Sequence, residues 1–252
     1  MMGLRIALCL AATVAIGGCT GAIEGGKTST MNPALCRAAY LSLESAGGFK
    51  AWQGLSVVGA KAVITIQEPS GQASVNTVDL TIDLPGGTLE ARAKTATGVW
   101  QGQAGINGKY TLSGEGLPGE PARQQQIGQA LTTILHRLRG PMNLLLGTDR
   151  PAGSGRECMV DGASVVRLPV GEGAFDVKAY YFAKADRRLA FLTAGGDAPG
   201  QDGTVTVYEY QTLKGGLAFP RQIRLIHIGS NILVGRESSG LVLDVTFSDV
   251  RF

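Results

Sequence analysis

Histidine is nearly missing from this chain: 252 residues hold two, His136 and His227. Of the four cysteines, neither Cys36 nor Cys158 has a second cysteine or a histidine at zinc-ligand spacing, so no metal site is expected. There is no G-x-S-x-G elbow, no H-E-x-x-H pair and no P-loop. Gly153-Ser154-Gly155 sits in a turn-rich stretch, which is not where a strained nucleophile is built. His136 stands among helix-end cations, and His227 shares a strand face with Ile223 and Leu225, so both read as structural. Charge is scarce too: 17% of residues carry it, against the usual quarter or so. The net charge of +3 comes without a Lys/Arg run or an aromatic-interleaved basic stripe, which excludes a nucleic-acid partner. Neither a catalytic residue nor a cofactor is expected. What remains is a chain long enough for one domain with a sizeable core, rich in glycine (37 residues) placed in turn-like clusters.

The N-terminus has a three-part plan. Met1 to Arg5 carries one positive charge, Ile6 to Ile16 is apolar, and Gly17-Gly18 precede Cys19. Such an apolar run is too short to span a bilayer and reads as a secretory signal. Its ending, Ile16-Gly17-Gly18-Cys19, resembles a lipobox. Two small residues admit the backbone to a signal peptidase, and the Cys19 sulfur accepts the lipid as thiolate. The expected organisation is therefore a lipoprotein signal over 1–18, a small, polar, flexible tether over 19–31 and a single domain over 32–252. Thr20 rather than Asp follows the cysteine, which resembles the proteobacterial pattern for outer-membrane sorting. The expected location is a membrane anchor facing the periplasm, at the outer membrane. Export also places Cys36 and Cys158 in an oxidising compartment, where they are expected to form a disulfide. The long loop it would close is worth at most roughly 4–5 kcal/mol.

Along the domain, Asn32-Pro33 opens a helix that Gly47-Gly48 closes. Strands follow. Val78, Leu80, Ile82 and Leu84 alternate with Asp79, Thr81 and Asp83. Ala62, Ile64 and Ile66 oppose Lys61, Thr65 and Gln67, with Val63 on the polar side. Leu89, Ala91 and Ala93 oppose Glu90, Arg92 and Lys94. Val99-Trp100 and Tyr110–Leu112 mark two more. Pro121–Gly140 changes period: Ile127, Leu131, Ile134, Leu135 and Leu138 recur at helical spacing. His136, Arg137 and Arg139 suit the negative end of that helix dipole. Met142–Leu146 is a second apolar piece, and residues 147–157 read as a loop. From Ala163 strands resume, with Phe175, Val177, Ala179 and Tyr181 opposing Asp176, Lys178 and Tyr180. Segments 187–193, 204–211, 221–228 and 241–250 follow at hairpin spacing. About ten or eleven antiparallel strands with one helical insertion predict a mostly β fold: a curved sheet with the amphipathic helix on its concave side.

Four segments, in order, resemble the periplasmic lipoprotein-carrier (LolA/LolB-like) superfamily. They are Gly47–Trp52 after the first helix, the strand and turn Tyr180–Arg188, Thr206–Pro220, and the terminal Val245–Phe252. The last three belong to one piece, the C-terminal half from about Phe175, and with it the match covers about half of the chain. The resemblance implies a half-open β-barrel closed by a helical lid, with acyl chains of lipoproteins or other lipids in its apolar concavity. The lipobox departs from the soluble carrier of that group, and the motifs specific to its lipidated receptor are absent. The expected pocket and lid lining is Ile64, Ile66, Leu80, Ile82, Ile127, Leu131, Leu135, Leu138, Val205, Val207, Leu243 and Val245. The expected partners are lipid or lipoprotein acyl chains and a membrane reached through the N-terminal lipid, the chain itself being a monomer. The competing reading is an envelope structural or sensory module whose concavity is filled by its own side chains.

Overall fold

The computed structural model describes residues 37–48, 51–52, 57–67, 71–153, 155–195, 203–228 and 239–252. The signal, Cys19, the tether and Cys36 lie outside them. Helix α1 (Arg37–Ser45) precedes five strands: β1 (Val58–Gln67), β2 (Ala73–Asp83), β3 (Thr88–Thr95), β4 (Gly98–Gly105) and β5 (Tyr110–Ser113). Helices α2 (Pro121–Arg139) and α3 (Pro141–Leu145) come next. Then follow β6 (Arg150–Pro151), β7 (Arg156–Val160), β8 (Ala163–Glu172), β9 (Val177–Ala183), β10 (Leu189–Gly195), β11 (Gly203–Thr212), β12 (Ala218–Ile228) and β13 (Ser239–Arg251). The strands form one 13-stranded antiparallel sheet in the order β5-β4-β3-β2-β1-β13-β12-β11-β10-β9-β8-β6, with β7 paired to β8. The sheet does not close on itself: β5 and β6 are its two ends.

That order explains where the helices go. The first five strands are a meander running outward from β1, and β8 to β13 are a second meander running inward to it. Residues 114–149 must carry the chain from one end of the sheet to the other. The short route crosses the concave face, and α2 and α3 are that crossing. The alternation read from the sequence supplies the apolar floor. Ala60, Ala62, Ile64 and Ile66 of β1, Val78, Leu80 and Ile82 of β2, and Leu243, Val245 and Phe247 of β13 are buried in one cluster with Leu131, Ile134 and Leu135. Val63 faces out, 41% exposed. The result is a half-open β-barrel with a helical lid.

Several expectations need correction. The structure has more strands than the ten or eleven read from periodicity. The stretch 147–157 is not simply a loop: Arg150–Pro151 pairs with β8, and β7 begins at Arg156. Periodicity missed them because β6 is two residues long and glycines interrupt the stretch. The strand expected from Phe175 starts at Val177. Phe175 and Asp176 adopt positive φ (57° and 52°) in a short 3₁₀ turn over Ala174–Asp176. Tyr180 belongs to the core, not to a polar face. β9 is covered on both sides, with Tyr180 and Phe182 in the main core and Ala179 and Tyr181 in a second cluster with Cys158, Val160 and Val165. A strand buried on both faces shows no alternation.

Candidate functional site: the helix-covered concavity

The lid half of α2 is fitted closely to the sheet. It lies against β3, β4 and β5, and glycine makes the approach possible. A Cβ at Gly128 would stand 2.1 Å from the Tyr110 ring, and one at Gly102 would stand 2.8 Å from Leu112 and Leu131. Between α2 and the sheet is a narrow apolar cleft lined by Ile64, Ile66, Asn76, Trp100, Ile127, Ala130 and Leu131, with free space of about 10 Å³. The periodicity thus places Ile64, Ile66, Ile127 and Leu131 around one opening. Leu80, Ile82, Leu135, Leu138, Leu243 and Val245 join the same buried cluster.

Val205 and Val207 do not. In β11 the concave face carries Tyr208, so Val205 and Val207 point the other way. Val207 is registered opposite Phe191, which packs on the cluster of Cys158 and Tyr181. The alternation was seen correctly, but the face assigned to the valines was the wrong one. A strand with an apolar residue on both faces leaves that choice to the tertiary structure.

The other half of the concavity is polar at its centre. α2 ends where Gly140, at φ 39°, donates its N–H to the carbonyls of His136 and Arg137 at 3.3 and 3.1 Å. Side chains finish the cap: Asn143 Nδ2 donates to His136 O at 2.9 Å, and Tyr208 Oη donates to Arg137 O at 3.1 Å. Buried carbonyls at a helix end need such partners. His136 is fully buried against the Phe175 ring, 4.7 Å between centroids, with Nε2 3.3 Å from an oxygen of buried Asp149. Tyr180 Oη donates to that same carboxylate oxygen. Burial pushes the Tyr180 and Tyr208 hydroxyls up and pulls the His136 ring below its ordinary value. His136, Asp149 and Tyr180 could pass as an acid–base set by type, but all three are sealed from solvent.

Arg137 and Arg139 follow His136 and are 3% and 4% exposed. Beside Arg137, a second cleft opens between α1, the end of α2 and strands β10 to β12. Ser42, Leu43, Trp52, Arg137, Leu138, Arg188, Tyr208 and Tyr210 are among its lining residues, and its free space is about 20 Å³. The stacked pair Tyr208–Tyr210 both packs and lines, and so do Trp52 and Trp100, which are buried in the core and each edge one cleft. His227 is half-buried in β12. Sequence reasoning missed Asp149, Asn143, Tyr180 and the burial of the arginines. The available signal was the run His136-Arg137-Leu138-Arg139 leading without a polar turn into Pro141–Leu146, which a solvent-facing helix end would not do. Among the described residues, no group of three or more His, Cys, Asp or Glu could hold a metal. No described helix is long and apolar enough to cross a membrane.

No family model and no curated protein matches the chain. Solved structures do. A LolA superfamily protein from Nitrosomonas europaea is 8% identical over 86% of this chain and 92% of its own, with TM-score 0.50. A Vibrio parahaemolyticus domain assigned to outer membrane lipoprotein sorting is 12% identical over 85% and 93%, with TM-score 0.49. A DUF1329 family protein from Desulfovibrio piger is 12% identical over 86% and 92%, with TM-score 0.43. The Nitrosomonas likeness shows the fold: the open barrel with its helical lid is similar to that of this LolA superfamily protein.

Proposed function

We propose that the chain is a lipid-anchored envelope protein that takes acyl chains between α2 and the concave face of the sheet, in outer-membrane lipoprotein sorting or a related lipid transfer. The observation that carries this reading is the cleft at Ile64, Ile66, Trp100, Ile127 and Leu131. It is apolar, lies under an inserted helix and opens where that helix meets the sheet. Binding is passive. Each methylene leaving water contributes about 0.8 kcal/mol, so a dozen carbons suffice without polar chemistry, and no catalytic group is required. The LolA-like fold fits this use. Cys19 is the proposed lipid site, residues 19–31 the tether, and the periplasmic face of the outer membrane the location. Cys36 and Cys158 are the proposed disulfide. Cys158 is buried in β7, and a mass gain of two hydrogen atoms on reduction tests the bond.

A specific observation favours a second reading. Leu131, Ile134 and Leu135 are completely buried, and the free space under α2, about 10 Å³, has room for roughly one water and not for an acyl chain. In this reading the concavity is filled by its own side chains and the domain works through protein contacts. Native mass spectrometry after mild extraction, followed by uptake of a fluorescent fatty acid, separates them. Co-purified lipid or saturable uptake supports acyl binding. Absence of both leaves the self-filled module. Cys19→Ser, or globomycin treatment, should leave uncleaved precursor, and mature protein of normal size under either condition would sink the anchor.

A further inference from the structure

The arginine cleft holds groups that an apolar concavity does not use. The Arg137 side chain makes one hydrogen bond, 3.1 Å to a His136 ring nitrogen, and its buried Nε has no partner. Arg188, from the β9–β10 turn, lies 5.7 Å over the Tyr210 ring. Its Nε is buried and likewise without a hydrogen bond, and the nearest carboxylate, exposed Asp186, is 3.9 Å away. The three aromatic donors of the cleft are already committed. Tyr208 donates to Arg137 O, Tyr210 to Leu189 O and Trp52 Nε1 to Ala46 O. Asp149 is the buried carboxylate of this region, and His136 and Tyr180 occupy it. A buried guanidinium nitrogen without a hydrogen-bond partner is unfavourable, and the fork it belongs to matches a carboxylate or phosphate in a two-bonded geometry.

We propose that this cleft receives the anionic head, a carboxylate or a phosphate, of a single-chain amphiphile whose acyl chain runs on beneath α2. The inference rests on the acyl-binding reading above and narrows it. Leu138 lines the cleft and belongs to the same apolar stripe as Leu131 and Leu135, so one stripe of α2 leads from the arginine cleft to the cleft at Leu131. Leu43 of α1 covers the cleft, which at about 20 Å³ has room for roughly one water, so α1 shifts on binding. A ligand whose chains are joined only through neutral esters and amides would bring no negative charge to the two Nε atoms that lack a hydrogen bond. The preferred ligand is therefore a free fatty acid or a phosphate-headed lipid.

The test is competition for a neutral fluorescent acyl ester bound to the mature chain in a non-ionic detergent. The competitors are dodecanoate, dodecyl phosphate, dodecanol and inorganic phosphate, each below its micelle threshold. Dodecanoate or dodecyl phosphate should displace the probe at about tenfold lower concentration than dodecanol, and the stronger of the two identifies the head. Arg188→Gln should cut that preference to about twofold or less with dodecanol unaltered. Arg137→Gln should do the same, and Arg188, being partly exposed, serves if the Arg137 variant fails to fold. Equal displacement by all three dodecyl compounds overturns the head-group site and leaves acyl binding standing. Failure of the neutral ester to bind overturns acyl binding itself. Displacement by inorganic phosphate as effective as dodecyl phosphate overturns the claim that the ligand is an amphiphile.

Discussion

Arg137 donates through Nη1 to Nδ1 of His136, 3.1 Å away. The bond fixes the tautomer. Nδ1 accepts, so the ring proton sits on Nε2 and faces Asp149. Burial is the main reason the ring resists a second proton, and the positive charges of Arg137 and Arg139 add to it, while Asp149 pulls the other way. Tyr180 from β9 and Tyr208 from β11 complete the polar surroundings as neutral hydroxyls. A proton at Nδ1 would break the Arg137 bond and set two cations together.

Stability should therefore fall in mild acid. The unfolded ring titrates near about 6.5 and the folded ring lower. Below pH ~6.5 the unfolded state binds the extra proton, so stability falls as pH drops, by up to about 1.4 kcal/mol per pH unit for one group. The loss levels off below the folded pKa. Urea unfolding at pH 7.5, 6.5 and 5.5 measures it. His136→Gln should flatten the slope, and an identical slope in the variant would assign it to other groups.

Leu135 tests whether α2 is a lid. It is fully buried, so Leu135→Ala should cost about 2–5 kcal/mol if the helix is permanent core. A helix that lifts for ligand loses less and changes its uptake of a fluorescent fatty acid strongly. Denaturant melts and uptake on the same preparation decide: a full core penalty with unaltered uptake rules the lid out.

Gly128 tests the fit of that helix to the sheet. Ala at this position places a methyl group 2.1 Å from the Tyr110 ring, so the ring or the helix must give way. The expected cost is about 1–3 kcal/mol, with faster fatty-acid uptake if α2 is the part displaced. Gly119→Ala, where a Cβ meets nothing within 4 Å, is the control. Equal melting temperatures for the two variants would show that Tyr110 swings away freely.

The apolar floor was legible because β1, β2 and β13 each expose one face. There, alternation alone told Ile64, Leu80 and Val245 from Thr65, Asp79 and Asp244, and the helical period of α2 was equally plain. Legibility ended where burial is two-sided. In β9 both Tyr180 and Tyr181 are inside, and in β11 the valines take one face and the tyrosines the other, so either face could pass for the concave one. Asp149 was invisible for another reason. It stands in a stretch of Gly, Thr, Pro and Arg that has the composition of a solvent loop, and only the fold turns its carboxylate inward to His136 and Tyr180. Local pattern reports which face is apolar, whereas a buried charge is specified by partners distant in sequence.

Asp149 and Arg139 should respond in opposite directions, and the contrast tests how the buried charges are balanced. Asp149 accepts from Tyr180 Oη and lies 3.3 Å from His136 Nε2, close to two buried guanidinium groups whose charge it offsets. Asp149→Asn keeps the shape but removes that negative charge and sets an amide N–H where one donor pointed. Breaking a buried charge set in this way costs about 3–5 kcal/mol. Arg139 is the unmatched member. Its side chain has no hydrogen bond or ion pair among the described residues, its Nε is buried without a partner, and burial lowers its pKa. Arg139→Met retains most of the volume and deletes the desolvated charge. Such a replacement is neutral or stabilising by about 1–4 kcal/mol. Denaturant melts at pH 7.5 measure both. If Arg139→Met destabilises as strongly as Asp149→Asn, the two charges form a required pair, and the positive excess at the end of α2 does not exist.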